Sequence, residues 1–334
     1  MGLFFRKRRS QPQPEPEEPW KRHENVSRET VIQTSVGPRR ARLDDDEEAW
    51  DYVDEYGVEY DEGPPLTLPR PDRPRVFVVA NQKGGVGKTT TTVNVASALA
   101  FGGLNVLVID TDPQGNASTA LGIDHDPGTP GAYEVLLQNA KIEDLAQRSP
   151  HSPNLHVLPA AIELATAELE LVNVAGREAM MKKAVASYIA NSDVDYVFFD
   201  CPPSLGLLTL NALVASNEIL VPIQCEYYAL EGVAQLIRTI QRVKGNLNDG
   251  LELSTVLLTM YDNRTNLASE VAREIRTHFP TQTLDVEIPR SVRIAEAPSY
   301  GQSVITYQPK SSGAQAYQKA AEEIAQRAVT EGSR

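Results

Sequence analysis

Short apolar runs alternate with longer amphipathic stretches from residue 75 onwards. The runs RVFVVA (75–80), NVLVID (105–110) and YVFFD (196–200) are rich in valine, isoleucine and phenylalanine, as buried strands are. Near-continuous apolar strands that alternate with helices are typical of a parallel sheet covered on both faces. The pattern therefore predicts an α/β fold with a mostly parallel, twisted β-sheet and helices on both faces. Further strands are predicted at 154–159, 218–223, 254–260 and 284–288, and helices at 88–101, 164–191, 228–244, 267–278 and 313–329.

The first 74 residues lack this pattern. They are rich in Pro, Glu, Arg and Asp, and they carry 12 basic and 17 acidic residues without an apolar period. Such a composition is typical of disorder, so we predict a disordered charged tail at 1–74 and one domain at 75–334. Two interpretations of the tail stay open. It could be a solvated linker, or a docking arm whose segment AWDYVDEYGVEY (49–60) folds onto a basic partner.

The bulk composition restricts the class of protein. The net charge is −13, and the predicted domain itself holds 28 acidic and 20 basic residues, which opposes DNA binding through overall charge. Two cysteines are too few for a disulfide framework and suit a reducing cytosol. No apolar run approaches the roughly 20 residues that span a bilayer, and the short apolar start does not fit a signal peptide. We therefore expect no transmembrane segment.

A glycine-rich loop, NQKGGVGKTTTT (81–92), lies between the first predicted strand and the first helix. The usual phosphate-loop pattern G-x-x-x-x-G-K-[ST] would place its first glycine at Gln82, and a second lysine, Lys83, precedes the central glycines. A strand, a glycine loop and a helix together point several free backbone N–H groups at an anion. We therefore predict a P-loop NTPase-like fold, in which Lys88 reaches the β and γ phosphates and the Thr89 hydroxyl binds Mg²⁺.

Two further motifs end predicted strands. DTDPQGN (110–116) places Asp110 and Asp112 at a carboxyl end, where parallel sheets bind ligands. Asp112 could orient a water in line with the γ-phosphate, or the segment could be a capped turn, because Asp-Pro and Gln-Gly form turns. The other motif, DYVFFDCPPS (195–204), ends an apolar strand in Asp200, which is the form of a Walker B carboxylate that holds Mg²⁺.

Together, these motifs resemble those of a known family. KGGVGKTT (83–90) is similar to the deviant Walker A motif of the ParA/MinD ATPases, and DTDPQGN and FFDCPPS are similar to the family's next two motifs. EYYALEG (226–232), TMYDNRTNLA (259–268) and IPRSVRIAEAPSYGQSV (288–304) resemble the chromosomal ParA, or Soj, branch. The resemblance covers 75–334. It implies ATP and Mg²⁺ as cofactors, hydrolysis of ATP to ADP and phosphate, and a role in chromosome or plasmid partitioning.

The resemblance also implies catalytic roles for single residues. ParA-like ATPases form an ATP-dependent sandwich homodimer, in which the signature lysine, here Lys83, reaches the partner's nucleotide like an arginine finger. Asp112 would position the attacking water, and Asp110 would support that water or the metal. Asp200 would hold the metal. The residues that would line the phosphates are Gly84, Gly85, Val86, Gly87, Lys88, Thr89 and Thr90.

The resemblance further places the base and the partners. The base would lie near Met260 and Pro289, and the absence there of the N-K-x-D signature expected of guanine-specific GTPases favours adenine. The partners would be a ParB-like protein that stimulates hydrolysis and double-stranded DNA bound without sequence preference, in a cytoplasmic, nucleoid-associated protein. Arg264 and Arg293 would be the DNA contacts. Both arginines could instead be ordinary surface charges or members of internal ion pairs.

Four alternatives share parts of this pattern. A MinD-like positioning ATPase, acting on a membrane or a polar protein, would need an amphipathic C-terminal helix, but AYQKAAEEIAQRAVTEGSR (316–334) has mostly alanine on its apolar face. An iron–sulfur carrier would use Cys201 and Cys225, neither of which lies in a glycine-rich loop. A biosynthetic ligase with the same loop would need a substrate-binding insertion. A scaffold with purely structural ATP would not need Asp112.

Overall fold

One sheet forms the centre of the described structure. The computed structural model describes residues 67–227 and 229–332. The strands are β1 (Arg75–Val79), β2 (Val106–Asp110), β3 (Gln147–Arg148), β4 (Leu155–Leu158), β5 (Tyr196–Asp200), β6 (Glu218–Gln224), β7 (Glu252–Tyr261) and β8 (Thr283–Pro289). Within the described residues they are ordered β3-β4-β2-β5-β1-β6-β7-β8, and every neighbouring pair is parallel except β3 and β4. The predicted α/β fold with a mostly parallel sheet is therefore confirmed.

Helices cover both faces of this sheet. They are α1 (Lys88–Phe101), α2 (Asn116–Ala120), α3 (Ala132–Leu137), α4 (Ile142–Leu145), α5 (Leu164–Glu170), α6 (Met180–Ala190), α7 (Leu207–Ala215), α8 (Ala229–Asn246), α9 (Asn266–His278), α10 (Val292–Glu296), α11 (Val304–Tyr307) and α12 (Ser312–Gly332). Alternate residues of β1 point to opposite faces. Val76 and Val78 join the core beneath α3 to α9. Phe77 and Val79 join the core beneath α1, α2, α11 and α12.

The strand order brings three carboxyl ends together at the middle of the sheet. β5 lies between β1 and β2, and both Val79 and Asp110 pair in register with Asp200. The loop after β1 and the two carboxylates therefore share one edge. Open parallel sheets bind their ligands at this edge, outside the carboxyl ends of the strands.

Five short helices lie outside the predicted ranges, namely α2, α3, α4, α10 and α11, and two longer segments also differ from the prediction. The predicted helix at 164–191 is two helices, α5 and α6, because the chain turns at Gly176 with a left-handed φ of 71°. The sequence pattern also does not predict α7. Six of its nine residues are buried, so LLTLNALVA lacks the polar face that marks an amphipathic helix.

The packed domain begins before β1. Leu68 is buried, and its N–H donates to the Gly102 carbonyl at the end of α1 over 3.0 Å. A side chain at Gly102 would collide with Leu68, because its Cβ would lie 2.5 Å from Leu68 Cδ1. Residues 68–74 therefore belong with the domain. Residues 1–66 of the predicted tail at 1–74, with the docking segment at 49–60, lie outside the described residues.

Replacing Leu68 by alanine should therefore destabilise the domain. Removing a buried leucine side chain costs about 2–5 kcal/mol, and we expect a loss near the lower limit, about 2 kcal/mol, for this peripheral contact. Chemical denaturation measures the free energy of unfolding. Leu267→Ala on α9, where the leucine is 43% exposed, is the matched control and should change that free energy by less than about 0.5 kcal/mol. Equal losses in both variants would contradict the packing of Leu68.

Candidate functional site

The loop between β1 and α1 leaves a helix N-terminus open. Gly85 and Gly87 adopt left-handed φ angles of 75° and 90°, which favour glycine. Helix α1 begins at Lys88, and its first turn has no acidic residue and no cap from a described side chain. Its first N–H groups are therefore available to an anion, and the helix dipole favours negative charge there. A Cβ at Gly84 or Gly85 would meet open space, so this part of the loop is not packed against protein.

Neighbouring strands hold the phosphate loop in place. Thr259 Oγ1 on β7 donates to the Val86 carbonyl over 2.9 Å, and the Val86 side chain is buried. Asn81 Nδ2 donates to the Pro222 carbonyl on β6 over 2.9 Å, and Asn81 Oδ1 accepts the Lys83 N–H over 3.1 Å. The loop thus has little conformational freedom left to lose when an anion binds.

Asp200 ends β5 directly behind the first turn of α1. Its Oδ2 accepts from Thr89 Oγ1 over 2.8 Å, and its Oδ1 accepts from Thr92 Oγ1 over 3.1 Å. Burial raises the pKa of the Asp200 carboxyl to about 8, and the nearby Asp110 adds to this shift. A hydroxyl in contact with a carboxylate suits Mg²⁺, which takes one or two protein oxygens besides phosphate and water. The predicted metal residues Thr89 and Asp200 therefore lie together.

Lys88 is enclosed at the start of α1. Only 7% of the residue is exposed. Burial lowers the pKa of its ammonium group, and the carboxylates of Asp200 and Asp112 oppose this shift. A cation in this position can neutralise a phosphate bound over the helix N-terminus. The geometry fits the predicted phosphate contact of Lys88.

Asp110 is fully buried at the end of β2. Its Oδ2 accepts two hydrogen bonds from Ser118, one from the N–H (2.9 Å) and one from the hydroxyl (2.8 Å). Its Oδ1 accepts the Asp112 N–H over 3.1 Å. Burial raises the pKa of the Asp110 carboxyl to about 7. Three donors on this carboxyl favour a supporting role for Asp110 over direct contact with a metal.

Asp112 lies in the turn that follows β2. Its Oδ1 accepts the Gln114 N–H over 3.1 Å, its carbonyl accepts the Gly115 N–H over 2.9 Å, and Gly115 is left-handed with φ 63°. The capped turn that the sequence left open is therefore present. Its Oδ2 has no hydrogen-bond partner among the described residues, so one oxygen is available to orient a water.

Lys83 forms an ion pair with a glutamate outside the phosphate loop. Its Nζ lies 2.6 Å from Oε2 of Glu226, which follows β6, and both side chains are partly exposed. Gln224 Nε2 donates to the other carboxylate oxygen of Glu226. Glu226 opens the motif EYYALEG, but the sequence pattern predicts no role for it. Only the fold shows that this glutamate faces the signature lysine.

A cleft of about 490 Å³ opens at the carboxyl ends of β7 and β8. Pro289, one of the two residues predicted near the base, lines it. Met260, the other, is not part of the lining but directly precedes Tyr261, which is, and it has an uncommon left-handed φ of 51°. The complete lining is Tyr261, Asp262, Asn263, Arg264, Glu287, Pro289 and Arg290. The position and size of the cleft suit a nucleoside.

The two predicted DNA contacts each form a local ion pair. Arg264 donates through Nε and Nη2 to Asp262 over 2.8 and 2.7 Å, which lowers the pKa of the Asp262 carboxyl to about 2. Arg293 pairs with Glu296 on α10 over 3.1 Å. Both guanidinium groups are exposed, so the ion pairs that the sequence left open are present and the DNA contact stays a prediction.

The cysteines and the C-terminal helix bear on two of the alternatives. Cys201 and Cys225 are buried, and burial raises the pKa of both thiols to about 12, which disfavours the thiolate that binds a cluster. On α12, Tyr317, Ala321 and Ile324 are buried in the core shared with α1. The apolar face of this helix therefore packs against protein. No helix in the described part of the chain is both long and apolar enough to cross a membrane.

Comparison with known proteins identifies the family. A family model described as an AAA domain matches residues 74–253. The chromosome partitioning protein ParA of Caulobacter vibrioides is 48% identical over 253 residues, which cover 76% of this chain and 94% of that protein. The sporulation initiation inhibitor protein Soj of Bacillus subtilis is 47% identical over 251 residues, which cover 75% of this chain and 98% of the Soj protein.

Solved structures agree with the sequence matches. The cobyrinic acid a,c-diamide synthase from Mycobacterium smegmatis, with bound ADP and magnesium, superposes with a TM-score of 0.66 at 38% identity, covering 78% of this chain and 96% of that one. The cell division ATPase MinD of Pyrococcus furiosus superposes with a TM-score of 0.62 at 27% identity. The match covers 76% of this chain and 99% of the MinD chain. The predicted P-loop fold is therefore confirmed, and the chain belongs to the ParA/Soj family of chromosome-partitioning ATPases.

Proposed function

We propose that the chain binds ATP and Mg²⁺, closes into an ATP-dependent homodimer, binds double-stranded DNA without sequence preference, and hydrolyses ATP when a ParB-like protein stimulates it. The observation that carries the nucleotide chemistry of this proposal is the contact between Thr89 and Asp200 behind the uncapped N-terminus of α1, with Asp112 beside it. The similarity to ParA and Soj proteins supports the rest of the proposal. In the cell it would act in the cytoplasm, on the nucleoid. Partitioning of a chromosome or plasmid is the role that the family implies.

The residues of the site divide the chemistry between them. The backbone N–H groups at 84–90 hold the phosphates, and Lys88 neutralises their charge. Thr89 and Asp200 would hold Mg²⁺, which when bound neutralises charge on the phosphate oxygens. Asp112 orients a water through its available Oδ2. Phosphoryl transfer requires mainly positioning and charge neutralisation, which these groups can supply.

Lys83 would act on a second copy of the chain. Its side chain leaves the phosphate loop and ends at Glu226, partly exposed to solvent. Across an interface the same ammonium group could meet the partner's phosphates and act like an arginine finger. ATP would then be part of the dimer interface. Hydrolysis would remove that contact and weaken the dimer.

DNA binding would be coupled to this dimer, because two copies of a basic surface bind more tightly than one. We expect Arg293→Glu to abolish co-sedimentation with DNA while ATP binding stays intact, since Arg293 lies outside the described lining of the cleft. Arg264→Glu should also abolish it. Arg264 lines the cleft, so its ATP affinity must be measured in parallel. Lys319→Glu, an exposed charge reversal on α12, is the matched control and should still bind DNA. Normal DNA binding by both arginine variants would contradict their assignment.

Two other candidates can be separated by simple assays. A MinD-like positioning ATPase should co-sediment with anionic lipid vesicles. We expect no co-sedimentation here, because the apolar face of α12 is buried in the core and is not available to a membrane. A biosynthetic ligase is favoured only by the similarity to the M. smegmatis synthase. ATP turnover that rises with DNA and a ParB-like protein supports partitioning, and turnover that needs a carboxylic acid and an amide donor supports a ligase.

A further inference from the structure

Ser118 occupies the centre of the hydrogen-bond network behind Asp112. It lies on the short helix α2 and is fully buried. Its N–H and its hydroxyl both donate to Asp110 Oδ2, over 2.9 and 2.8 Å. Two donors from one residue fix the orientation of the carboxylate, and hydrogen bonds to a charged acceptor are stronger than neutral ones.

The other oxygen of Asp110 holds Asp112. Asp110 Oδ1 accepts the Asp112 N–H over 3.1 Å, and the Asp112 carbonyl accepts the Gly115 N–H over 2.9 Å. The chain from Asp110 to Ser118 is therefore a closed loop, with Asp112 inside it. Ser118 closes this loop at its far end.

The same hydroxyl reaches a third element. Ser118 Oγ accepts the N–H of Ala160 over 3.3 Å, in the connection between β4 and α5. A hydroxyl can donate and accept at once, and this one joins the end of β2, helix α2 and the β4–α5 connection. Alanine at this position would leave Asp110 Oδ2 with the backbone N–H of residue 118 alone, and it would leave the buried Ala160 N–H without its acceptor.

We propose that Ser118 is a positioning residue for ATP hydrolysis, whose hydroxyl fixes Asp110 and, through it, the backbone of Asp112. The proposal rests on the proposed role of Asp112 in orienting water. None of the hydrogen bonds of Ser118 among the described residues reaches the phosphate loop. Loosening Ser118 should therefore affect the reacting water and leave nucleotide binding intact.

The test compares kcat and KM of Ser118→Ala with those of the wild-type full chain, in the presence of Mg²⁺, DNA and a ParB-like protein. A misplacement of about 1 Å at a reacting centre can cost about 100-fold in rate, so we expect kcat to fall about 10- to 100-fold while KM changes less than about twofold. Ser216→Ala is the matched control, because that serine is also buried and its hydroxyl donates one hydrogen bond, to the Ala212 carbonyl over 2.8 Å. It should leave kcat unchanged.

A second variant and a double variant make the result decisive. Ser118→Cys keeps the shape of the side chain and a weak donor, so it should give an intermediate kcat even if Ser118→Ala does not fold. In an Asp112→Ala background, Ser118→Ala should cause no further loss, because it acts through Asp112. If Asp112→Ala stops turnover but the Ser118 variants keep the wild-type kcat, this inference fails alone. If Asp112→Ala turns over normally, the proposed role of Asp112 fails as well.

Discussion

Replacing Asp112 by alanine is expected to remove most ATP turnover and to leave ATP binding intact. Its carboxylate lies in the turn after β2, with Oδ2 available and the buried ammonium of Lys88 close enough to sense its charge. Groups that orient or accept a proton from the attacking nucleophile contribute about 10²- to 10⁴-fold, so we expect kcat to fall by about that factor. Single-turnover hydrolysis of ATP with Mg²⁺, DNA and a ParB-like protein measures the effect.

Asp126→Ala is the matched control for this variant. Asp126 is an exposed aspartate in the loop after α2, and its loss should leave kcat unchanged. ATP affinity is measured on both variants, because the prediction requires a fall in rate without a fall in binding. A normal rate for Asp112→Ala would contradict the prediction and would leave this carboxylate only a structural role, as the cap of its turn.

The second large effect is expected for Lys83→Ala, which should bind ATP and remain monomeric. The phosphate loop keeps its glycines, Lys88 and its bracing by Thr259 in this variant, so the nucleotide site of the protomer is unchanged. What is lost is the cation that would reach the partner's nucleotide. Light scattering after gel filtration, with and without Mg²⁺ and ATP, should show a dimer for the wild type and a monomer for the variant.

Glu226→Gln separates the two contacts of Lys83. This variant keeps the lysine but removes the carboxylate that holds it in the protomer. Ion pairs between exposed groups contribute about 0–1 kcal/mol, so the variant should still dimerise. The ATP concentration that gives half-maximal dimer should change by at most about fivefold per protomer. Loss of the dimer in Glu226→Gln, or a persistent dimer in Lys83→Ala, would disagree with the proposed role of Lys83.

Much of the fold and of the phosphate site follows from local pattern. The apolar runs of β1, β2 and β5 predict a buried parallel sheet, and loop 81–92 between a strand and a helix predicts an anion site. The carboxyl ends of parallel strands meet at one edge, so Asp110 and Asp200 were predictable neighbours. Helix α7 is not predictable from the sequence pattern, because burial on most of its sides removes the amphipathic period that marks a helix.

Other features depend on contacts distant in sequence. Glu226 follows β6, which neighbours β1 in the sheet, and Thr259 lies near the end of β7, one strand further out. These strands come together only when the sheet has formed, so no local pattern pairs either residue with the loop. No local pattern marks Ser118, because its partners lie on β2 and after β4 and are brought together only by the fold. Leu68 stands in a Pro-rich charged stretch, and its burial against Gly102 is visible only in three dimensions.

The structure of the Asp112→Ala chain with ATP and Mg²⁺, determined by crystallography and checked for assembly in solution by X-ray scattering, tests most directly whether nucleotide joins two copies of the chain. We predict a two-fold dimer in which each Lys83 has left Glu226 and its Nζ lies within hydrogen-bond distance of the partner's phosphates. Single protomers with bound nucleotide, in which Lys83 is still paired with its own Glu226, would contradict the proposed mechanism.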